Sequence, residues 1–451
     1  MSKDIRIKKG LDIKLVGEAA QTTTELPIGG VYAIKLSDFH GITPKILAKE
    51  GSEVKAGAAL FHSKSDDRVL FPSPVSGKVE AIIRGDRRKV LEIRILANGT
   101  QESVNFGKKE AQKMDADAVK NHLLAAGCWP FVKQRPYDVI ADPNQTPKAI
   151  FISAYASAPL AQDYDYTLRG KATELQAAVT ALSKLTTGKV HVSIAKDTAM
   201  SPFLNLKDVE LHQVSGPHPV GNVSTQIAQI DPINKGEVVW VVTPQDAVVI
   251  GELFLTGKFN AKRAIALAGS QFQKPSYVTA YPGANIASLV AAGAFDAANA
   301  RIISGNVLSG LQVSQEGAVG YYDNEVTAIP EGDDYEFFGW NKPIFNKVST
   351  SRALTFSWML PKKKFDLNTN TNGEHRAFVI TGAYEEVFPL DIYPMQLLKA
   401  CMYKDLDEME ALGAYEIAPE DFALTEFICV SKQPHQEIIR EGLDLMRAEI
   451  G

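Results

Sequence analysis

The stretch Phe71-Pro72-Ser73-Pro74-Val75-Ser76-Gly77-Lys78-Val79 decides how the first hundred or so residues fold. Pro72 and Pro74 bar it from a helix and hold Phe71 and Ser73 in extended backbone. Ser76-Gly77 then supplies a turn, and Val79, Ala81 and Ile83 alternate into a strand. A second strand alternates Leu91, Ile93 and Ile95 against Glu92 and Arg94, across the charged hairpin Arg84-Gly85-Asp86-Arg87-Arg88. Upstream, Gly51-Ser52-Glu53-Val54-Lys55-Ala56-Gly57 and Ala58-Ala59-Leu60-Phe61 provide a further turn and strand.

This pattern resembles the small β sandwich of biotinyl and lipoyl carrier domains, where a "V-K-x-G" strand precedes a "P-x-P-x-x-G-x-V" strand. In those carriers the intervening hairpin bears a lysine that is acylated, six residues before the first proline. Here that position is Asp66, within Ser63-Lys64-Ser65-Asp66-Asp67-Arg68. A carboxylate cannot form the amide, so the scaffold is read as structural and the swinging arm as missing.

A chain of 451 residues has room for about three domains. Its 45% hydrophobic and 22% charged residues are ordinary for a water-soluble chain. A net charge of -5 argues against a general nucleic-acid binder, whose phosphate contacts need a basic face. No run of about 18 apolar residues predicts a membrane span. Met1-Ser2-Lys3-Asp4-Ile5-Arg6-Ile7 is too charged for a signal peptide. Cys128, Cys401 and Cys429 are too few and too scattered for a disulfide framework, which suits a reducing compartment and a cytoplasmic location.

Along the chain, residues 1 to about 30 show little periodicity and close on Leu26-Pro27-Ile28-Gly29-Gly30. A helical pattern covers Asp115 to Ala126. The segment Cys128-Trp129-Pro130-Phe131-Val132-Lys133-Gln134-Arg135-Pro136-Tyr137 combines aromatics, prolines and cations, and reads as stiff and non-helical. A strand over 149–154, a helix over 172–185 capped near Gly188 and a strand over 190–195 make one βαβ unit. A second is predicted from a strand over 237–242, N-cap Thr243 with Pro244 and Asp246, a helix to Thr256, Gly257, and a strand over 263–268. Residues 270 to about 335 are rich in Gly, Ser and Val with short apolar runs. Another aromatic concentration follows at Tyr335-Glu336-Phe337-Phe338-Gly339-Trp340, and from Pro394 the pattern is helical.

The sites of common chemistry are missing. The turns after the first and third of those strands, Tyr155-Ala156-Ser157-Ala158 and Thr243-Pro244-Gln245-Asp246, contain no glycine to let backbone amides approach a phosphate. There is no G-x-G-x-x-G, no Walker A sequence and no C-x-x-C for an iron–sulfur cluster. No H-E-x-x-H, nucleophile elbow or paired-histidine spacing supports hydrolysis or a metal site. One local signature remains, Ser215-Gly216-Pro217-His218-Pro219-Val220-Gly221, in which two prolines hold His218 in a turn.

Several motifs together resemble the A subunit of the Na+-translocating NADH:quinone oxidoreductase (Na+-NQR). They are Gly41-Ile42-Thr43-Pro44, Arg84-Gly85-Asp86-Arg87-Arg88, Trp129-Pro130-Phe131 with Arg135-Pro136, and Gly216-Pro217-His218-Pro219-Val220-Gly221. Arg301-Ile302-Ile303-Ser304-Gly305-Asn306-Val307-Leu308-Ser309-Gly310 and Asp421-Phe422-Ala423-Leu424 extend them over nearly the whole chain. The layout is more distantly similar to the flavin subunit of respiratory complex I and to the C subunit of the Rnf complex. Those relatives carry a glycine-rich flavin loop where this chain has Cys128-Trp129-Pro130-Phe131. They carry cluster cysteines where it has Leu424 to Lys432. Tyr155-Ala156-Ser157-Ala158 departs from a more acidic "D-T-x-P" stretch expected in the family.

The resemblance implies an α/β multidomain chain in four parts. A lead segment and biotinyl/lipoyl-like sandwich occupy 1–100, and a parallel, Rossmann-like α/β domain 101–269. A small β-rich domain and linker follow over 270–385, then a helical C-terminal domain over 386–451. It further implies a peripheral subunit on the cytoplasmic face of the bacterial inner membrane, in a respiratory complex that oxidises NADH, reduces ubiquinone and transports sodium. The expected partners are the other five subunits, chiefly the membrane-embedded B subunit. Neither a catalytic residue, flavin, iron–sulfur centre nor metal is expected on this chain; the complex uses NADH, flavins and an iron–sulfur centre through other subunits. A quinone, if bound here, is expected at Trp129, Phe131, Arg135 and His218, which offer ring faces and polar donors on a stiff backbone. The bland alternative is that Trp129 and Phe131 pack the sandwich against the α/β domain. Two competing functions are a stand-alone flavin-dependent NADH oxidoreductase of the complex I type and a pure assembly scaffold.

Overall fold

The computed structural model describes residues 2–295, 299–332, 336–339, 347–350 and 356–451. Tyr335 and Trp340, part of the aromatic concentration singled out in the sequence, lie outside the described residues.

The Pro-Gly stretch forms the expected sandwich. One sheet orders the strands Val31–Lys35, Val90–Ala97, Gly77–Arg84 and Glu53–Val54; the other orders Pro44–Ile46, Ala59–Ser63 and Leu70–Pro72. The core is aromatic: Phe61 and Phe71 stack at 4.4 Å and 7°, and Phe39 meets Phe71 edge-on at 4.7 Å. The alternation expected at Ala81 and Ile83 is broken. The ladder slips between Val79 and Ala81 and again between Ile83 and Arg84, so Ile82 stands opposite Ile93. Such bulges bend the strand around the core. At the hairpin tip Asp66 accepts from Arg68 Nε at 2.9 Å and from Nη2 at 2.5 Å, and Arg68 also donates to Asn144 at 2.8 Å. The position that bears the arm in carriers is here one end of a fork that ties the sandwich to the next unit. Gly127 (φ +68) makes that junction close: a Cβ there would lie 2.8 Å from the Pro72 ring.

The α/β unit has a seven-stranded sheet in the order Asp4–Arg6, Glu210–Ser215, Val190–Ala195, Ala149–Ser153, Val239–Val241, Lys133–Arg135, Val139–Ile140. The first five run parallel; Lys133–Arg135 is antiparallel to both of its neighbours. The βαβ unit expected over 149–195 is present, with the helix Ala172–Leu182 between its strands. Thr243 caps the helix Pro244–Thr256 as predicted and Gly257 ends it in the left-handed region. The two helices lie close enough that a Cβ on Gly251 would meet the carbonyl of Glu174 at 1.8 Å. The stiff segment is not wholly non-helical: Trp129–Phe131 makes one 3-10 turn, with Pro130 inside its first turn where no amide is needed.

The second predicted βαβ unit needs correction. Arg263–Ala268 does not return to the sheet of Val239–Val241. It enters a six-stranded sheet in the order Leu311–Gln312, Ala300–Ser304, Glu325–Pro330, Arg263–Ala268, Ser276–Ala280, Ala20–Glu25. There it pairs antiparallel with Ser276–Ala280 and parallel with Glu325–Pro330. Sheet membership therefore places this strand with the β-rich part rather than before a boundary at 269. The strands of the lead segment pair outside the two sandwich sheets. Asp4–Arg6 forms the edge of the α/β sheet, parallel to Glu210–Ser215, and Ala20–Glu25 forms an edge of the six-stranded sheet.

The C-terminal part is helical: Ala383–Val387, Pro394–Tyr403, Leu406–Ala411, Ala423–Phe427 and His435–Ile450. Leu397, Leu398, Met409, Phe422, Ile439 and Leu443 form its core, and Tyr137 and Val139 of the α/β unit enter that core.

Candidate functional site

Four distant stretches close around one cavity of about 360 Å³. The sandwich contributes Ser37, Asp38 and His40; the α/β unit Lys133, Asp138, Val139 and Ile140. The six-stranded part adds Ser304, Tyr321, Tyr322 and Asp323, and the C-terminal helices Pro419 and Arg440. Lys133 is held there because its strand sits at the antiparallel end of the α/β sheet, beside Val139–Ile140.

The polar groups are positioned individually. Lys133 Nζ lies 4.2 Å from the centre of the Tyr322 ring, and the Tyr322 hydroxyl donates to the Pro130 carbonyl at 2.9 Å. Asp38 accepts from the Tyr321 amide at 2.8 Å, with Lys35 4.0 Å away. Burial pushes the Asp38 carboxyl up to about 6, against the opposing pull of Lys35. Ser304 donates to Asp323 at 2.5 Å and accepts from the Gly320 amide at 2.8 Å. Burial would raise Asp138 as well, but Arg135, Lys133 and Arg440 together hold it below the usual carboxylate range. The site is thus a slot with aromatic walls and ionic groups of both signs.

None of the four residues expected to contact a quinone lines this cavity. Trp129 is sealed in the core, where its Nε1 donates to the Ala141 carbonyl at 2.7 Å and its ring meets Trp240 edge-on at 5.3 Å. Phe131 is sealed too, stacked between Phe259 at 6.2 Å and Tyr321 at 5.8 Å. Both rings are core residues whose partners belong to the α/β unit and, for Phe131, also to the β-rich part. Arg135 is 3% exposed and spends its guanidinium on Asp138 at 2.9 Å and Glu420 at 3.2 Å. His218 is elsewhere: its Nδ1 meets Ser157 Oγ at 2.9 Å, its amide donates to Asp12 and its carbonyl accepts from Leu11. What the segment does supply is its neighbours Lys133 and Asp138. Lys133 falls inside the basic, proline-bounded stretch read from the sequence, whereas Asp138 follows its end and had no signal there.

The crevice at the carboxyl end of Ala149–Ser153, where open α/β sheets bind their ligands, is filled by the chain itself. The Gly221 amide donates to Ser157 Oγ at 2.8 Å, and Ser153 Oγ donates to the Gly221 carbonyl at 2.7 Å. A Cβ on Gly221 would meet the Tyr155 carbonyl at 2.5 Å, so turn and crevice are in contact. These residues do not fit a flavin or dinucleotide phosphate, which needs exposed backbone amides at that turn.

A second cavity of about 610 Å³ lies between Lys108–Gln112 and the two helices Ala172–Leu182 and Pro244–Thr256. Its walls include Leu206, Phe254 and Leu255.

Fold and site define the class: a multidomain α/β chain that joins a carrier-like sandwich to a nucleotide-type sheet whose phosphate crevice is closed. Three family models match it in order. They are the NqrA N-terminal barrel-sandwich hybrid domain over residues 5–98, the NqrA second alpha/beta domain over 114–259 and the NQRA C-terminal domain over 264–315. The chain is 38% identical to the A subunit of the Na(+)-translocating NADH-quinone reductase of Serratia proteamaculans (strain 568), over 99% of this chain and 100% of that one. Proteins of the same description from Yersinia pestis bv. Antiqua (strain Angola) and Neisseria meningitidis serogroup A are 36% and 35% identical, each over 99% of this chain and 100% of the relative. Among solved structures, an NAD+-reducing nickel–iron hydrogenase aligns over 50% of this chain and 48% of its own, with 13% identity and a TM-score of 0.33. The chain belongs to the NqrA family, the A subunits of the Na(+)-translocating NADH-quinone reductase, and is one subunit of a multisubunit enzyme complex.

Proposed function

We propose that this chain is the peripheral subunit of the complex at the cytoplasmic face of the bacterial inner membrane, that it assembles against the membrane-embedded B subunit, and that it takes up a quinone headgroup. No helix among the described residues is long and apolar enough to cross a membrane, which supports the peripheral placement. The observation that carries the quinone reading is the slot at the meeting of the four parts, with the Tyr321 and Tyr322 rings beside Lys133. A quinone needs flat ring surfaces and a donor aimed at a carbonyl, and Lys133 is that donor. Phe131 and Arg135 act one layer behind, Phe131 backing Tyr321 and Arg135 orienting Asp138. His218 shares in it only by closing the crevice.

Calorimetric titration of the purified chain with a short-chain ubiquinone tests this. A hydrogen bond from a charged donor contributes about 1.5–3 kcal/mol, so Lys133→Met should weaken binding by about tenfold to a hundredfold. Tyr322→Leu should weaken it less, because stacking beyond area burial contributes about 0.5–1.5 kcal/mol. Saturable binding that ignores both substitutions, or none at all, leaves the assembly role alone.

A further inference from the structure

A cluster of metal-binding side chains lies in the α/β sheet away from this slot. Val190–Ala195 and Glu210–Ser215 run parallel, with His191 opposite Glu210 and Ser193 opposite His212. Side chains alternate along a strand, so Glu210 and His212, two apart, rise from the same face as His191. On that face His191 Nδ1 lies 3.0 Å from His212 Nε2 and 3.9 Å from Glu210 Oε2, and the three donor atoms all fall within 4.8 Å of one another. Both imidazoles are buried, and the Phe151 ring covers His191 at 4.8 Å.

We propose that His191, Glu210 and His212 bind a divalent transition metal of the zinc class. Zinc takes nitrogen and carboxylate ligands at about 2.0–2.2 Å in tetrahedral array, which puts donor atoms about 3.3 Å apart. The two imidazole nitrogens are already within a few tenths of an ångström of that spacing. Glu210, whose side chain is 26% exposed, needs the larger shift. Two histidines and one carboxylate are a complete protein set for a site that keeps a fourth position for water.

The hydrogen bonds show what the metal would replace. The Lys3 amide donates to His212 Nδ1 at 3.1 Å, so the imidazole proton lies on Nε2 and points at His191 Nδ1. A metal takes both facing lone pairs, so the His212 proton transfers from Nε2 to Nδ1 and no net proton is released. Nδ1–H then opposes the Lys3 amide, and that hydrogen bond breaks. Metal binding and the bond from the Lys3 amide therefore exclude each other, while the Lys3 carbonyl still accepts from Gln213 and its ammonium still donates to the Gln229 and Ile230 carbonyls.

The test uses the full chain, stripped with a chelator and titrated with Co2+ followed by visible spectroscopy, and with Zn2+ by calorimetry. One equivalent should bind, with the d–d bands of tetrahedral cobalt, and His191→Gln and His212→Gln should each weaken binding at least about tenfold. Hydrogen exchange at the Lys3 amide should speed up when Zn2+ is present. Glu210→Gln, at a partly exposed position, serves as the ligand variant if a histidine variant fails to fold, and His375→Gln, whose imidazole faces Gln433 elsewhere, should bind normally. Failure to bind one equivalent, or binding undiminished in the folded ligand variants, overturns the proposal.

Discussion

Arg263 and Asp246 meet at 3.0 Å with 1% and 2% of their side chains exposed. Asp246 belongs to the first turn of the helix Pro244–Thr256, and Arg263 opens the strand that leaves for the six-stranded sheet. Arg263 also donates to Asn324 at 3.2 Å, so one guanidinium joins the α/β unit to the β-rich part. Removing one partner from a buried pair strands the other charge in low dielectric, which costs about 3–5 kcal/mol. Arg263→Met should lower unfolding stability by that order in urea titrations. Adding Asp246→Asn should restore part of it, since the orphaned charge is then gone. A loss below about 1 kcal/mol for the single variant would show that the pair is dispensable.

Trp129 should behave as a core residue. Trp129→Phe removes the bond to the Ala141 carbonyl and part of the contact with Trp240. The expected cost is about 1–3 kcal/mol, with quinone affinity unchanged. Calorimetric melting and the quinone titration on the same preparation decide this, and a weakened affinity in a fully folded variant would return Trp129 to the binding site.

Arg135 stands among Asp138, Glu420 and Asp421, and it holds Asp421 less high than burial alone would. Arg135→Met should therefore destabilise by about 3–5 kcal/mol. Arg135→Lys should fall between, because a single ammonium cannot span both Asp138 and Glu420 as the guanidinium fork does. Equal stability of the lysine variant and the parent in denaturant titration would refute the forked contact.

Glu325 gives a pH dependence with a definite sign. One carboxylate oxygen accepts from the Gln162 amide at 2.9 Å, the other has no hydrogen-bond partner among the described residues, and burial pushes the group up to about 7. Its folded pKa lies above its unfolded one, so the folded state holds the proton more tightly. The contribution is fully present below about pH 4.5 and is lost as pH rises through about 7. Glu325→Gln keeps an acceptor without the charge. It should leave stability unchanged at pH 4 and raise it by up to about 3 kcal/mol at pH 8. Parallel pH profiles of melting temperature for parent and variant would contradict this.

Local chemistry was legible in the sequence. Pro72, Pro74 and Gly77 announced the sandwich, and Thr243, Pro244 and Gly257 marked both ends of a helix, because each acts through its own backbone. What sheet a strand joins was not. Arg-Ala-Ile-Ala-Leu-Ala at 263–268 is as apolar as a central parallel strand and pairs instead with Ser276–Ala280 and Glu325–Pro330. Asp4–Arg6 and the exposed strand Ala20–Glu25 were too short or too polar to show periodicity. The slot escaped for a related reason. Lys133, Asp38, Tyr322 and Arg440 are far apart in the chain, and only the docking of four parts brings them together. His191 and His212 likewise lie 21 positions apart and become neighbours through strand register.

The routing of the first 25 residues constrains how the chain is made. Asp4–Arg6 waits for Glu210–Ser215, and Ala20–Glu25 for Ser276–Ala280. At about 5–20 residues per second, synthesis delivers those partners on the order of ten seconds or more after the leading strands leave the ribosome. The sandwich over 31–97 has all its strands early and can settle first. During that interval two unpaired β-edges stay open to chaperones or to a neighbouring nascent chain, and a bulky N-terminal fusion would hinder the last steps of closure rather than the first.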